Sequence, residues 1–284
     1  RGTVAADGCT DSRDRQQKRR TPPFRMRRAR RDIAMDMDMQ YSDWHGFRRA
    51  DFRFEDRDAL IVFPHREGWG SGRLMMKMEY FDAFPKLETE LLDAGFHLAY
   101  FRNKNRWGTD PDHDARRRFA DFLAEQLHVN PRFVPIGMSC GGLISVNFAS
   151  RYPDYVSLLY LDAPVMNLLS CPMGFGIGDA LGEGDSGFRE IEAAYGFTRS
   201  SLLTYREHPI DRIPTLIGHG LPVALVYGDS DTTVPYIENG KVLEDAYRKT
   251  GLPLYCVGKR GCGHHPHGLD DNTELIRFIR ENML

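Results

Sequence analysis

Apolar residues along this chain gather in short unbroken runs, and between the runs they recur every three or four positions. The runs fall at residues 59–63, 96–101, 133–136, 156–161, 221–227 and 254–257. Runs of this length without polar alternation predict strands covered on both faces. Between them, Phe84, Leu87, Leu91 and Leu92 share one helical face ahead of Gly95, and Phe119, Phe122, Leu123 and Leu127 share another. Residues 143–149, the set Val242, Leu243, Ala246 and Tyr247, and the set Leu275, Ile276, Phe278 and Ile279 predict three more helices.

Strand and helix therefore alternate, which predicts an α/β fold with a mostly parallel sheet flanked by helices. Residues 47–54 mix apolar and charged positions and read as an antiparallel lead-in. The ligand crevice of such a sheet opens at the carboxyl ends of its strands. The alternation breaks between about residues 165 and 220, where glycines punctuate 174–187 and short helical pieces stand near 188–195 and 200–205. A stretch of that length without strands predicts a cap inserted over the strand ends.

Composition adds limits. Hydrophobic residues make up 41% and charged residues 27% of the 284, with a formal net charge of -2. These values suit a globular domain and point to neither nucleic acid nor an anionic membrane as the main partner. No apolar run is long enough to span a bilayer. Residues 1–40 are rich in Arg and Lys and lack apolar periodicity, so they are expected to form a basic, disordered extension before a catalytic domain at 41–284. No secretory pattern follows the basic residues. Five scattered cysteines (Cys9, Cys140, Cys171, Cys256 and Cys262) show no paired spacing. A reducing compartment, the cytoplasm, is the expected location.

The candidate chemistry centres on Gly137-Met138-Ser139-Cys140-Gly141, set between a strand and a helix. Glycines at such a turn relieve backbone crowding and let Ser139 project its hydroxyl. The helix behind it aims amide N–H groups at the same point. A serine hydroxyl needs a general base and the base an orienting acid. Two strand-end loops offer them: Gly228-Asp229-Ser230-Asp231-Thr232-Thr233-Val234-Pro235 and Gly261-Cys262-Gly263-His264-His265-Pro266-His267.

Taken in chain order, these three motifs resemble the α/β-hydrolase fold superfamily, and the resemblance covers roughly residues 54–284. It implies a serine hydrolase of the carboxylesterase kind with Ser139, Asp231 and His264 as its triad. The family pattern selects Asp231 over Asp229, whose plain reading is a turn residue. It also implies an oxyanion hole made by the N–H of Cys140 and one from the loop after the third strand. That loop is read as Pro64-His65-Arg66-Glu67, where Arg66 replaces the usual glycine, and the register stays open between Arg66 and Glu67. Trp69 and Trp107, on loops at the crevice end, are expected to wall the substrate pocket or to pack beneath the cap.

The histidines at 264, 265 and 267 have a spacing that zinc sites use, but no Cys or carboxylate set at metal spacing accompanies them. No metal or other cofactor is therefore expected. The substrate class implied is a small carboxylic ester, short-chain or aromatic in its acyl part, including carbohydrate esters. A small serine aminopeptidase and a non-catalytic ligand-binding relative stand as alternatives.

Overall fold

The computed structural model describes residues 39–284. Cys9 and all of the basic extension but its last two positions lie outside the described residues. The described chain forms one nine-stranded sheet in the order β1-β2-β3-β5-β4-β6-β7-β8-β9. Strands β1 (Gln40–Trp44), β2 (Phe47–Phe54) and β3 (Arg57–Val62) form an antiparallel meander. β3 also pairs antiparallel with β5 (His97–Phe101). From β5 onward, β4 (Leu74–Lys77), β6 (Val134–Met138), β7 (Leu159–Asp162), β8 (Val223–Gly228) and β9 (Leu254–Lys259) are all parallel.

The unbroken apolar runs have a direct cause. Ala59 and Ile61 point into one core while Leu60 and Val62 point into the other. In β8, Val223 and Leu225 face the first core and Ala224 and Val226 the second. Both faces of the sheet are covered, so no position along a central strand can be polar without a buried partner.

Helix α1 (Lys86–Asp93) packs Leu87, Leu91 and Leu92 into the second core, joined by Leu275 and Ile279 of α8 (Thr273–Asn282). Helices α2 (Asp110–Leu127) and α3 (Cys140–Arg151) fill the first core. Between β7 and β8 lie α4 (Ser186–Tyr195), α5 (Arg199–Thr204) and α6 (Ile213–Gly218); α7 (Gly240–Tyr247) then joins β8 to β9. No described helix is long and apolar enough to cross a membrane.

Strand β4 departs from the sequence reading, which passed from the loop at 65–72 straight to α1. Its four residues occupy the place beside β6, while β5 lies between it and β3. That order decides which loop reaches Ser139.

One buried group makes stability depend on pH. His113 on α2 is buried, and its ring nitrogens have no hydrogen-bond partner among the described residues. Burial, reinforced by the Arg116 charge, pushes its pKa down to about 3. The unfolded chain takes up that proton near the ordinary value of about 6.5, whereas the folded chain does not. The stability this group contributes is therefore present above that value and is lost as pH falls below it. Between pH 7 and 5 the loss should be about 2 kcal/mol. Urea midpoints measured at the two pH values should show this fall, and His113→Leu should flatten it. Equal slopes in both proteins would contradict the assignment.

Candidate active site

Strand β6 ends at Met138, and the chain turns into α3 through Ser139, held at φ 53° and ψ -122°. A non-glycine residue there costs roughly 1–3 kcal/mol and persists only where its surroundings over-determine it. They do so here. The Ser139 N–H donates to the Asp162 carbonyl at 2.9 Å, and the Ser139 carbonyl accepts from Val165 N–H at 3.0 Å. The end of β7 thus clamps the turn from the side.

Two glycines make room for it. A Cβ on Gly137 would lie 2.3 Å from Ser145 Oγ and 2.7 Å from the Gly141 carbonyl oxygen. A Cβ on Gly142 would lie 2.4 Å from Pro164 Cβ. At Gly141 the nearest atom would be Glu79 N at 3.4 Å, an ordinary contact. The requirement for glycine after the serine therefore falls on Gly142 rather than Gly141.

The loops after β8 and β9 bring Asp231 and His264 to the same point. His264 Nε2 is 3.0 Å from Ser139 Oγ, and His264 Nδ1 is 2.7 Å from Asp231 Oδ2. The other carboxylate oxygen, Oδ1, accepts the N–H groups of Thr233 at 2.9 Å and Val234 at 2.8 Å. The Asp231 side chain is 1% exposed and the His264 side chain 11%. A carboxylate beside Nδ1 requires the proton on that nitrogen, which leaves the Nε2 lone pair facing the serine hydroxyl. Asp229 takes another part: its Oδ1 accepts from Gly261 N–H and Ser230 Oγ, tying the β8 loop to the β9 loop.

The loop beside the serine follows β4. Residues Met78–Asp82 run past the elbow, and Tyr80, Asp82 and Phe84 have φ of 55°, 70° and 50°. Three non-glycine residues in the left-handed region within one short loop mark stored strain. Buried polar groups hold the loop in place. Asn103 Nδ2 donates to the Met78 carbonyl at 2.7 Å and to Glu79 Oε2 at 2.5 Å, and Arg116 donates to Asn103 Oδ1 at 2.6 Å. On the other side Lys77 Nζ donates to the Ala83 carbonyl and to Glu88 of α1. The N–H groups of Cys140 and Tyr80 have no protein acceptor among the described residues.

Arg66 and Glu67 lie elsewhere. They open a short 3-10 helix, Arg66–Ser71, after β3, and both are exposed. β5 and β4 separate that strand from β6, so neither residue lines the space around Ser139. Counting strands along the chain had skipped β4 and thereby shifted the loop. The short apolar run Leu74-Met75-Met76 between Gly72 and Tyr80 is only a weak sign of that strand, since no β-branched residue marks it.

A cavity of about 460 Å³ opens on Ser139, His264 and Cys140. Its walls are Tyr80, Ala83, Phe84, Arg106, Met138 and Thr233, with Cys171 and Leu181 from the segment between β7 and β8 and with His265 and His267. Neither tryptophan contributes. Trp69 packs at a tilt against Phe63 and donates its indole N–H to the Pro64 carbonyl at 2.8 Å. Trp107 is fully buried and donates to Glu190 Oε2 at 3.0 Å.

Glu190 also accepts from Arg106 Nε and Nη2, each at 2.7 Å, and Tyr195 OH donates to the Trp107 carbonyl at 2.6 Å. These contacts fasten α4 to the loop after β5. Trp107 thus serves the scaffold, while its neighbour Arg106 reaches the cavity. Burial pushes the Cys140 thiol up to about 11 and the Tyr80 phenol well above its ordinary value, so both face the cavity neutral. A hollow of about 600 Å³ lies against α2, α3 and the end of α4, lined by His113, Arg151, Tyr195 and Arg212 among others, and shares no residue with the serine site.

The sheet order, the strand–serine–helix turn and the loop positions define the α/β-hydrolase fold, and the chain has that fold. Solved structures of similar shape agree. Porphyromonas gingivalis dipeptidyl peptidase 4 superposes with a TM-score of 0.59 at 14% identity over 87% of this chain. This chain spans 36% of that protein's length. Est1E from Butyrivibrio proteoclasticus gives a TM-score of 0.54 at 17% identity, covering 86% of this chain and 96% of that one. Thermogutta terrifontis esterase 2, in a form phosphoramylated by tabun, gives 0.53 at 14% identity, with 84% and 93% covered. No protein-family model matches this chain, and no curated protein sequence matches it.

Proposed function

We propose that the chain is a serine hydrolase that cleaves carboxylic esters through an acyl-enzyme. The observation that carries this reading is the unbroken hydrogen-bonded line from Asp231 through His264 to Ser139, with separations of 2.7 and 3.0 Å. Ser139 Oγ attacks the ester carbonyl while His264 Nε2 takes its proton, and Asp231 holds the ring and stabilises the imidazolium. The oxyanion that forms accepts the N–H groups of Cys140 and Tyr80. Each donor of that kind is worth about 3 kcal/mol of barrier. His264 then protonates the departing alkoxide, and water admitted to the cavity repeats the sequence to free the acid.

The cavity walls favour esters over aminopeptide substrates. A protonated substrate amine needs a carboxylate partner, and no Asp or Glu is among the described lining residues, which include Arg106 and three histidines. The apolar and aromatic walls from Tyr80, Phe84, Met138 and Leu181 suit a short or aromatic acyl group, on a carbohydrate or a simple alcohol. The full-length dipeptidyl peptidase resemblance extends over a minority of that protein, and the two esterases are matched nearly whole. Parallel assays of p-nitrophenyl esters of graded acyl length and of aminoacyl-p-nitroanilides should show ester turnover with short acyl groups and little anilide cleavage. The reverse preference would overturn the substrate class.

A further inference from the structure

We propose that His264, His265 and His267 together bind a divalent cation of the zinc type, and that its occupancy silences Ser139. The silencing rests on His264 acting as general base; the binding does not.

The three imidazoles form a compact triangle. Their ring centroids are 4.9, 4.9 and 5.0 Å apart, with interplanar angles of 63°, 80° and 87°. One ring nitrogen from each lies within 4.8 Å of the others. Zinc binds imidazole nitrogen at about 2.0–2.1 Å in a tetrahedral arrangement, so the nitrogens must draw in by about 1 Å or slightly more. His265 can supply that movement. It is exposed, its ring makes no hydrogen bond among the described residues, and outside the triangle it stacks on Phe84 at 5.6 Å.

The other two rings already have the outer partners that metal-binding histidines use. His264 Nδ1 is held by Asp231, and His267 Nδ1 lies 3.0 Å from Asp162 Oδ1. Both carboxylates are 1% exposed. A carboxylate on Nδ1 leaves the Nε2 lone pair for a cation, raises its basicity and places negative charge behind the ligand. The sequence spacing pointed to no such set because Asp162 stands at the end of β7, far from the histidines along the chain. All three rings line the cavity, so the remaining coordination position opens to solvent or substrate.

Imidazole selects zinc, copper and nickel over magnesium and calcium, which prefer oxygen. A cation on His264 Nε2 occupies the lone pair that would receive the Ser139 proton. No bond to substrate forms, and removal of the cation restores the base.

The test uses the whole chain, freed of metal with a chelator and titrated with Zn²⁺ alone by calorimetry while p-nitrophenyl ester turnover is followed. One zinc per chain should bind, and turnover at saturation should fall by about 10⁴–10⁶-fold, the range between disabling and removing a triad's base. His265→Ala and His265→Gln should each weaken binding roughly tenfold or more. Mg²⁺ should change neither readout.

Ser139→Ala keeps every ligand, so it should bind zinc with unchanged stoichiometry. Zinc binding there without esterase activity in the unsubstituted chain would sink the hydrolase reading and leave the site standing. Absence of stoichiometric binding, or binding indifferent to both His265 variants, would overturn the site. Zinc bound with turnover undiminished would overturn the silencing.

Discussion

Ser139→Ala is expected to lower kcat for p-nitrophenyl acetate by about a millionfold while leaving the thermal melt close to that of the unsubstituted chain. The size follows from the unit that the serine completes. With no nucleophile, the Asp231–His264 pair has nothing to deprotonate, and only binding and the oxyanion donors remain. The fold should tolerate the change because the elbow is held through the backbone. Its amide donates to Asp162, its carbonyl accepts from Val165, and the crowded glycines flank it rather than coincide with it. A fluorophosphonate probe should label the unsubstituted chain and not the variant. Labelling of both, or an unchanged rate, would remove Ser139 from the chemistry.

Asp231→Asn should cost about 10⁴-fold in kcat, and the reason lies in the second oxygen. Oδ1 accepts two backbone N–H groups, from Thr233 and Val234. An asparagine must therefore put its carbonyl oxygen there. Its NH₂ group then takes the place of Oδ2, 2.7 Å from His264 Nδ1, and donates to it. The imidazole proton is driven to Nε2, where it faces the Ser139 hydroxyl and cannot accept its proton. Asp229→Asn makes the contrast, since Asp229 touches the β9 loop and not the ring; its kcat should stay within a few-fold. Similar losses in the two variants would mean that the orienting role had been assigned to the wrong carboxylate.

The parts legible from the sequence were those written in short range. The Ser139 turn sits between a strand and a helix, and Asp231 and His264 each follow a strand within a few residues. Their motifs therefore carry position as well as chemistry. Strand β4 was not legible, because Leu74-Met75-Met76-Lys77 is short, holds no β-branched residue and ends on a lysine. The lysine is buried there against Glu88, a partner that only the folded chain reveals. Missing that strand put Arg66 and Glu67, rather than the Tyr80 loop, beside Ser139 in the sequence reading.

The sequence left two readings of Trp107 open for a related reason: its large side chain suits a pocket wall, but its indole N–H finds Glu190, 83 positions along the chain, and it packs beneath the segment between β7 and β8. Asp162 and Asn103, both needed to hold the site's loops, carry no motif at all.

Asp162 does two things at once. Its main-chain oxygen receives the amide of Ser139, and its carboxylate receives the ring of His267 and the N–H of Gly268, three and four places beyond His264. Besides meeting each other at 3.0 Å, hydroxyl and imidazole are thereby registered to one common post. On the proposed mechanism, little reorganisation would separate the resting geometry from the one that attack requires, and a laboratory graft of either loop onto another scaffold would have to carry that aspartate with it.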